Sequence, residues 1–104
     1  MTQVRFAPEV PDELAAAVVW YEGKRQGLGS EFLEEIEAIL PLIGNRPRSF
    51  PRLQDVGANL EIRRALLARF PYALVFLVRE EEVRVLAVAH AKRRPGYWLG
   101  RVRP

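Results

Sequence analysis

Two apolar runs, Tyr72–Arg79 and Glu82–His90, stand only two residues apart, and no other feature restricts the possible folds so tightly. The runs read YALVFLVR and EVRVLAVAH, both fit for buried strands, with the polar pair Glu80-Glu81 as the break between them. A third run, Glu61–Leu67, lies just upstream across Phe70-Pro71. That spacing predicts a meander of antiparallel neighbours. Gln3–Phe6 is extended but too brief to stand alone, so it is expected to add to the same sheet.

Between these strand segments lie two helical patterns. From Glu9 to Gln26 the residues Val10, Leu14, Ala17, Val18 and Tyr21 recur at helical spacing. Pro8 and Pro11 suit the first turn, and Asp12 and Glu13 suit its positive end. Gly27 is expected to cap this helix, and Trp20 and Tyr21 to enter the core. A second helix runs from Leu28 or Ser30 to about Ile43, with Phe32, Ile36 and Ile39 on its apolar stripe. Pro41 should kink or tighten its last turn. A long loop, Arg46 to Leu60, then leads into the three strands. The expected architecture is α+β, ordered β-α-α-β-β-β, with a helical hairpin on one face of a small, mainly antiparallel sheet. The opposite face is expected to stay open for a partner.

Residues 1–104 are expected to form one domain, a size that buries about 65% of the surface exposed by the unfolded chain. There is no cysteine, which excludes disulfides, thiolate metal sites and a cysteine nucleophile. Glu80-Glu81-Glu82 cannot converge on one ion without a nearby histidine, so no metal or cofactor is expected. The start of the chain lacks the pattern of an export signal, and the apolar runs are too short for a bilayer. A cytoplasmic protein with no membrane partner is the expectation. Charge is divided unevenly. Residues 1–45 carry three cations against eight acids, whereas residues 46–104 carry thirteen against five. Of the sixteen cations, fourteen are arginine, the side chain suited to clamping phosphate or carboxylate.

The densest chemistry follows the last strand, where His90 is succeeded by Lys92, Arg93, Arg94, Pro95, Gly96, Tyr97 and Trp98. An imidazole, three cations and two aromatic rings at one sheet end make an anion-handling surface. Arg63, Arg64 and Arg69 join it as candidates from the first strand of the meander and the turn after it. Because successive strand positions face opposite ways, only one of Arg63 and Arg64 can enter a groove, and the other should pair with an acid such as Glu61 or a helix glutamate.

Several pieces in this order resemble one family. They are Ala17-x-x-Trp20-Tyr21-Glu22, Gly27-Leu28-Gly29-x-x-Phe32, a proline near 47 or 51, Ile62-Arg63-Arg64, Phe70-Pro71-Tyr72, and His90-x-x-Arg93-x-Pro95-x-Tyr97-Trp98. Together, over roughly positions 4–98, they are similar to the RelE/ParE superfamily of toxins from type II toxin–antitoxin modules, often called plasmid-stabilisation proteins. The resemblance implies growth inhibition and a cognate antitoxin protein as partner, with no small-molecule substrate. RelE-like members cleave mRNA on the ribosome without metal, and ParE-like members poison DNA gyrase by binding.

For RNA cleavage the resemblance assigns Arg64, Arg93 and Arg94 to the phosphorane charge, and Tyr97 to stacking on a base. His90 would be the acid or base, since its ordinary pKa of about 6.5 suits proton transfer at neutral pH. Arg63, Arg69, Lys92 and Trp98 would contact the target or nucleic acid. RelE-like ribonucleases carry a lysine pair at or before the second strand, but Arg46–Arg64 here contains arginines and no lysine. Arginine clamps anions but shuttles protons poorly, which tips the reading towards a ParE-like binder of DNA gyrase. An inactive, basic RNA-binding relic is the third reading.

Overall fold

The strands β1 (Gln3–Phe6), β2 (Ile62–Leu66), β3 (Tyr72–Arg79) and β4 (Glu82–His90) form one sheet, ordered β1-β4-β3-β2. Residues 3–54, 56–57 and 59–102 are described by this computed structural model. The β2-β3 and β3-β4 pairs are antiparallel, while β1 runs parallel to β4. The chain can make that parallel pairing because two whole helices lie between β1 and the meander. The β3-β4 turn is tight, and Glu80 takes a positive φ of 50° to close it.

Helices α1 (Val10–Lys24) and α2 (Leu28–Asn45) pack as a hairpin on one face. Their link depends on glycine twice. Gly27 has φ 89°, the left-handed region, and stands as the N-cap of α2 rather than the cap of α1 expected from the sequence; Arg25 takes that place. A Cβ on Gly29 would lie 2.6 Å from the Val18 carbonyl oxygen, so the bare glycine is what lets the helices approach. The Glu22 carboxylate accepts from the N–H groups of Gly27 and Gly29 at 2.8 and 2.9 Å, placing negative charge at the start of α2. The second helix runs on through Pro41 to Asn45.

Under the hairpin lies the larger core, with Phe32, Ile36, Ile43, Leu74, Phe76, Val83, Val85 and Val88. Tyr21 joins it as expected, its ring 5.3 Å from Phe32 and 4.8 Å from Phe70. Trp20 does not. It points outward, 59% exposed, with the Lys24 ammonium 4.1 Å above its ring. The outer side of α1, with Ala15, Ala16 and Val19, is nearly as apolar as its inner side, so periodicity could not tell which way Trp20 faces.

The sheet face opposite the helices is not left open. Leu53, Val56 and Leu60 from the long loop, and Tyr97, Trp98 and Val102 from the tail, fold over Ile62, Val75, Leu77, Leu86 and Ala87. Within that loop, Pro47–Ser49 makes a short 3-10 turn, and Arg52 bridges to Arg63; Asp55 and Ala58 lie outside the described residues. A register shift makes the second core possible. Val75 pairs with Ala87 and Phe76 with Val85, leaving Leu86 without a partner. The extra residue sends Leu86 and Ala87 to the same face, while Val85 and Val88 stay under the helices.

Candidate functional site: a cationic groove beside the tail

One end of the sheet, together with the tail, encloses a groove of about 650 Å³. Its floor is apolar, built from residues such as Leu66, Leu67, Phe70, Ala73, Val75 and Ala89. Arg64, Arg93 and Arg94 supply its charge, and no carboxylate lines it among the described residues. Leu66 remains 63% exposed there. Such a surface suits a ligand that offers both apolar contact and negative charge.

Strand alternation sorts the two adjacent arginines as expected. Arg64 pairs in register with Val75 and shares its face, so it lines the groove. Arg63 lies opposite Phe76 on the other face. Its side chain is 15% exposed and donates to Glu61 at 2.8 Å and to the Phe50 carbonyl at 2.6 Å. Arg48 completes this cluster with a 3.0 Å contact to Glu61. Burial favours the neutral form of Glu61, but hydrogen bonds from Arg63 and Arg48 outweigh it and hold the carboxyl below its ordinary value. Arg63 is therefore part of the scaffold, not of the groove.

Arg69 is likewise engaged elsewhere. It pairs with Glu31 of α2 and stacks over the Phe70 ring at 5.6 Å, on the helical side of the molecule. Lys92 is exposed but does not line the groove. Trp98 borders the groove yet is only 5% exposed, so most of its ring is spent covering the second core. Among the described residues, Arg64 and Arg94 meet no acid and no hydrogen-bond acceptor through their side chains.

His90 sits where β4 ends, opposite Tyr72 and edge-on to its ring at 5.0 Å. Its Nδ1 accepts the Lys92 N–H at 3.0 Å, which places the proton of the neutral ring on Nε2. That bond also turns the chain from β4 into the basic run, together with a bond from the Arg93 N–H to the His90 carbonyl. Gly96, with φ 80°, makes the next turn.

The sequence gives no direct sign of Glu13's part. Since β1 ends opposite Val85, the edge of β4 beyond it is uncovered. The Glu13 carboxylate, reaching from α1, takes the Val88 N–H at 3.0 Å, the Tyr97 hydroxyl at 2.9 Å and the Arg101 guanidinium at 2.9 Å. Arg101 also donates to the carbonyl of the bulged Leu86 at 3.0 Å. Burial, and then the hydrogen bond to Glu13, push the Tyr97 phenol up to about 12. The hydrogen bond to Glu13 raises Arg101 in turn. In sequence Glu13 looks like an ordinary first-turn acid, and only the tertiary fold brings it to the tail.

Among the described residues, no group of histidines and acids could hold a metal ion, and no helix is long and apolar enough to cross a membrane. The sequence matches no family model and no curated protein. A solved chain from the chromosomal ParDE TA system of P. aeruginosa has the same fold, with a TM-score of 0.66 at 17% identity. The match covers 88% of this chain and 98% of that one. The expected α+β architecture, a helical hairpin against a mainly antiparallel sheet, is thus the one found.

Proposed function

We propose that this chain is the toxin of a type II toxin–antitoxin pair, and that it arrests growth by binding DNA gyrase rather than by cutting RNA. The fold shared with a chain of the ParDE system supports the toxin reading. The choice between binding and cleavage rests on one observation: the Tyr97 hydroxyl is turned inward and committed to Glu13. With its hydroxyl held by Glu13 and the Arg93 guanidinium 3.9 Å over its ring, Tyr97 is not free to stack on a base. His90 has one ring nitrogen tied to the backbone, and arginine does not exchange protons at neutral pH. What dominates is a set of cations above an apolar floor, suited to holding a surface, with the Nε2 of His90 as the group left for any proton transfer. An antitoxin segment of acidic, amphipathic character would neutralise the same groove.

The test is induced expression in a bacterial host alongside a supercoiling assay with purified gyrase. Growth arrest with a DNA-damage response, intact transcripts and inhibited supercoiling is expected. In-frame mRNA cuts, mapped by primer extension, would assign the chain to the RNA-cleaving branch instead. Normal growth at full expression would remove the toxin reading altogether.

A further inference from the structure

Two of the groove's three arginines, Arg93 and Arg94, are carried by a tail with little regular structure of its own. Beyond β4, the described tail holds only turns and one short 3-10 segment, Leu99–Arg101. Something must fix its position. The Arg93 guanidinium lies 3.9 Å over the Tyr97 ring, and that of Arg101 lies 5.1 Å from the same ring. Tyr97 in turn is anchored through its hydroxyl to Glu13, and Arg101 through its ion pair to the same carboxylate. Glu13 and Arg101 are 16% and 14% exposed at their side chains, so the contact is largely withdrawn from water. A single carboxylate on α1 therefore holds both the β4 edge and the tail.

We propose that Glu13 is the positioning residue of the groove: it fixes Tyr97, and through Tyr97 it sets where Arg93 stands. This rests on reading the groove as the functional surface, but the seating of the tail can be measured without any target. The consequence is long-range. A change on the first helix would alter the cationic rim although Glu13 does not line the groove.

Residue-resolved amide exchange on the full chain tests the seating in wild type, Glu13→Ala, Glu13→Gln and Tyr97→Phe. In Glu13→Ala the Val88 amide and the amides of residues 97–102 should lose protection at least about tenfold, while those of Leu74 and Phe76 stay as they were. Glu13→Gln keeps an acceptor for Val88 and should restore that amide, but not the amides held through Arg101. The double variant Glu13→Ala/Tyr97→Ala should bind a heparin oligosaccharide no more weakly than Tyr97→Ala alone, because Glu13 acts through that ring. Additive losses would overturn the positioning role. An unchanged tail in Glu13→Ala would overturn the inference and leave the gyrase reading untouched. If Glu13→Ala fails to fold, Tyr97→Phe, which removes the hydroxyl bond alone, gives the same reading: selective loss at residues 97–102 supports the proposal, and full protection refutes it. A loosened tail with undiminished growth arrest would break the link between the groove and toxicity, while leaving the anchor itself in place.

Discussion

Arg63 and Arg64 are neighbours in sequence and should respond oppositely to the same substitution. Arg63→Met keeps much of the apolar stem but removes the bonds to Glu61 at 2.8 Å and to the Phe50 carbonyl at 2.6 Å. Glu61 keeps Arg48 as a partner, so the loss falls short of a stranded buried charge. Two charge-assisted bonds at a mostly covered site, less the packing that methionine retains, come to about 3 kcal/mol. With an unfolding entropy of about 2.1 cal/mol/K per residue, that lowers the melting temperature by roughly 14 °C. Arg64→Met removes an exposed cation with no side-chain partner among the described residues, and the melting temperature should stay within about 3 °C of wild type. What Arg64→Met should lose instead is affinity for an anionic ligand, with a shallower salt dependence. Thermal unfolding by circular dichroism reads the first effect, and heparin elution against salt reads the second. Equal destabilisation by both variants would show that the face assignment of β2 is wrong, and with it the placement of the groove.

Other expectations follow from single contacts. Gly29→Ala pushes a Cβ against the Val18 carbonyl and should cost about 1–3 kcal/mol by chemical denaturation. Gly23→Ala, in the same hairpin but facing open space, should instead stabilise by about 0.5–1 kcal/mol. The Tyr97 phenol is raised in the fold, so its contribution is complete below the unfolded value of about 10 and is lost as pH climbs towards about 12. Ultraviolet titration of the native protein should show a last phenolate near that upper value, absent in Tyr97→Phe. For Glu61 the sign reverses: its carboxyl is lowered, so its contribution is present above the unfolded carboxylate range and fades as pH falls through the folded value. Stability measured down the acid limb should therefore fall less steeply in Glu61→Gln than in wild type.

The strand and helix content could be read from the chain because its punctuation is strong. The bounds of β3 and β4 agree with the apolar runs, and Gly27 and Gly29 mark the hairpin turn. What could not be read depends on contacts distant in sequence. Leu86 and Ala87 are both small-to-medium apolar residues, so nothing local signals the bulge that sends them to one face. Leu53, Val56, Leu60 and Trp98 become core only when loop and tail meet over the sheet. Alternation divides the adjacent arginines at 63 and 64 and asks for an acid beside one of them, but which arginine pairs, and that Glu61 rather than a helix glutamate is the partner, depends on the register. The groove gathers Arg64, His90, Arg93, Arg94, Tyr97 and Trp98, but not Arg63, Arg69 or Lys92. Sequence brings the basic run together, and the fold then divides the chain's arginines between scaffold and surface.

The most direct measurement is inhibition of gyrase supercoiling by the Arg64→Ala/Arg94→Ala variant, with Arg46→Ala as a control that lies outside the groove. The double variant should need at least about ten times more protein for the same inhibition, with unchanged melting, while Arg46→Ala behaves as wild type. Full inhibition by a folded double variant would contradict the assignment of this groove as the contact surface.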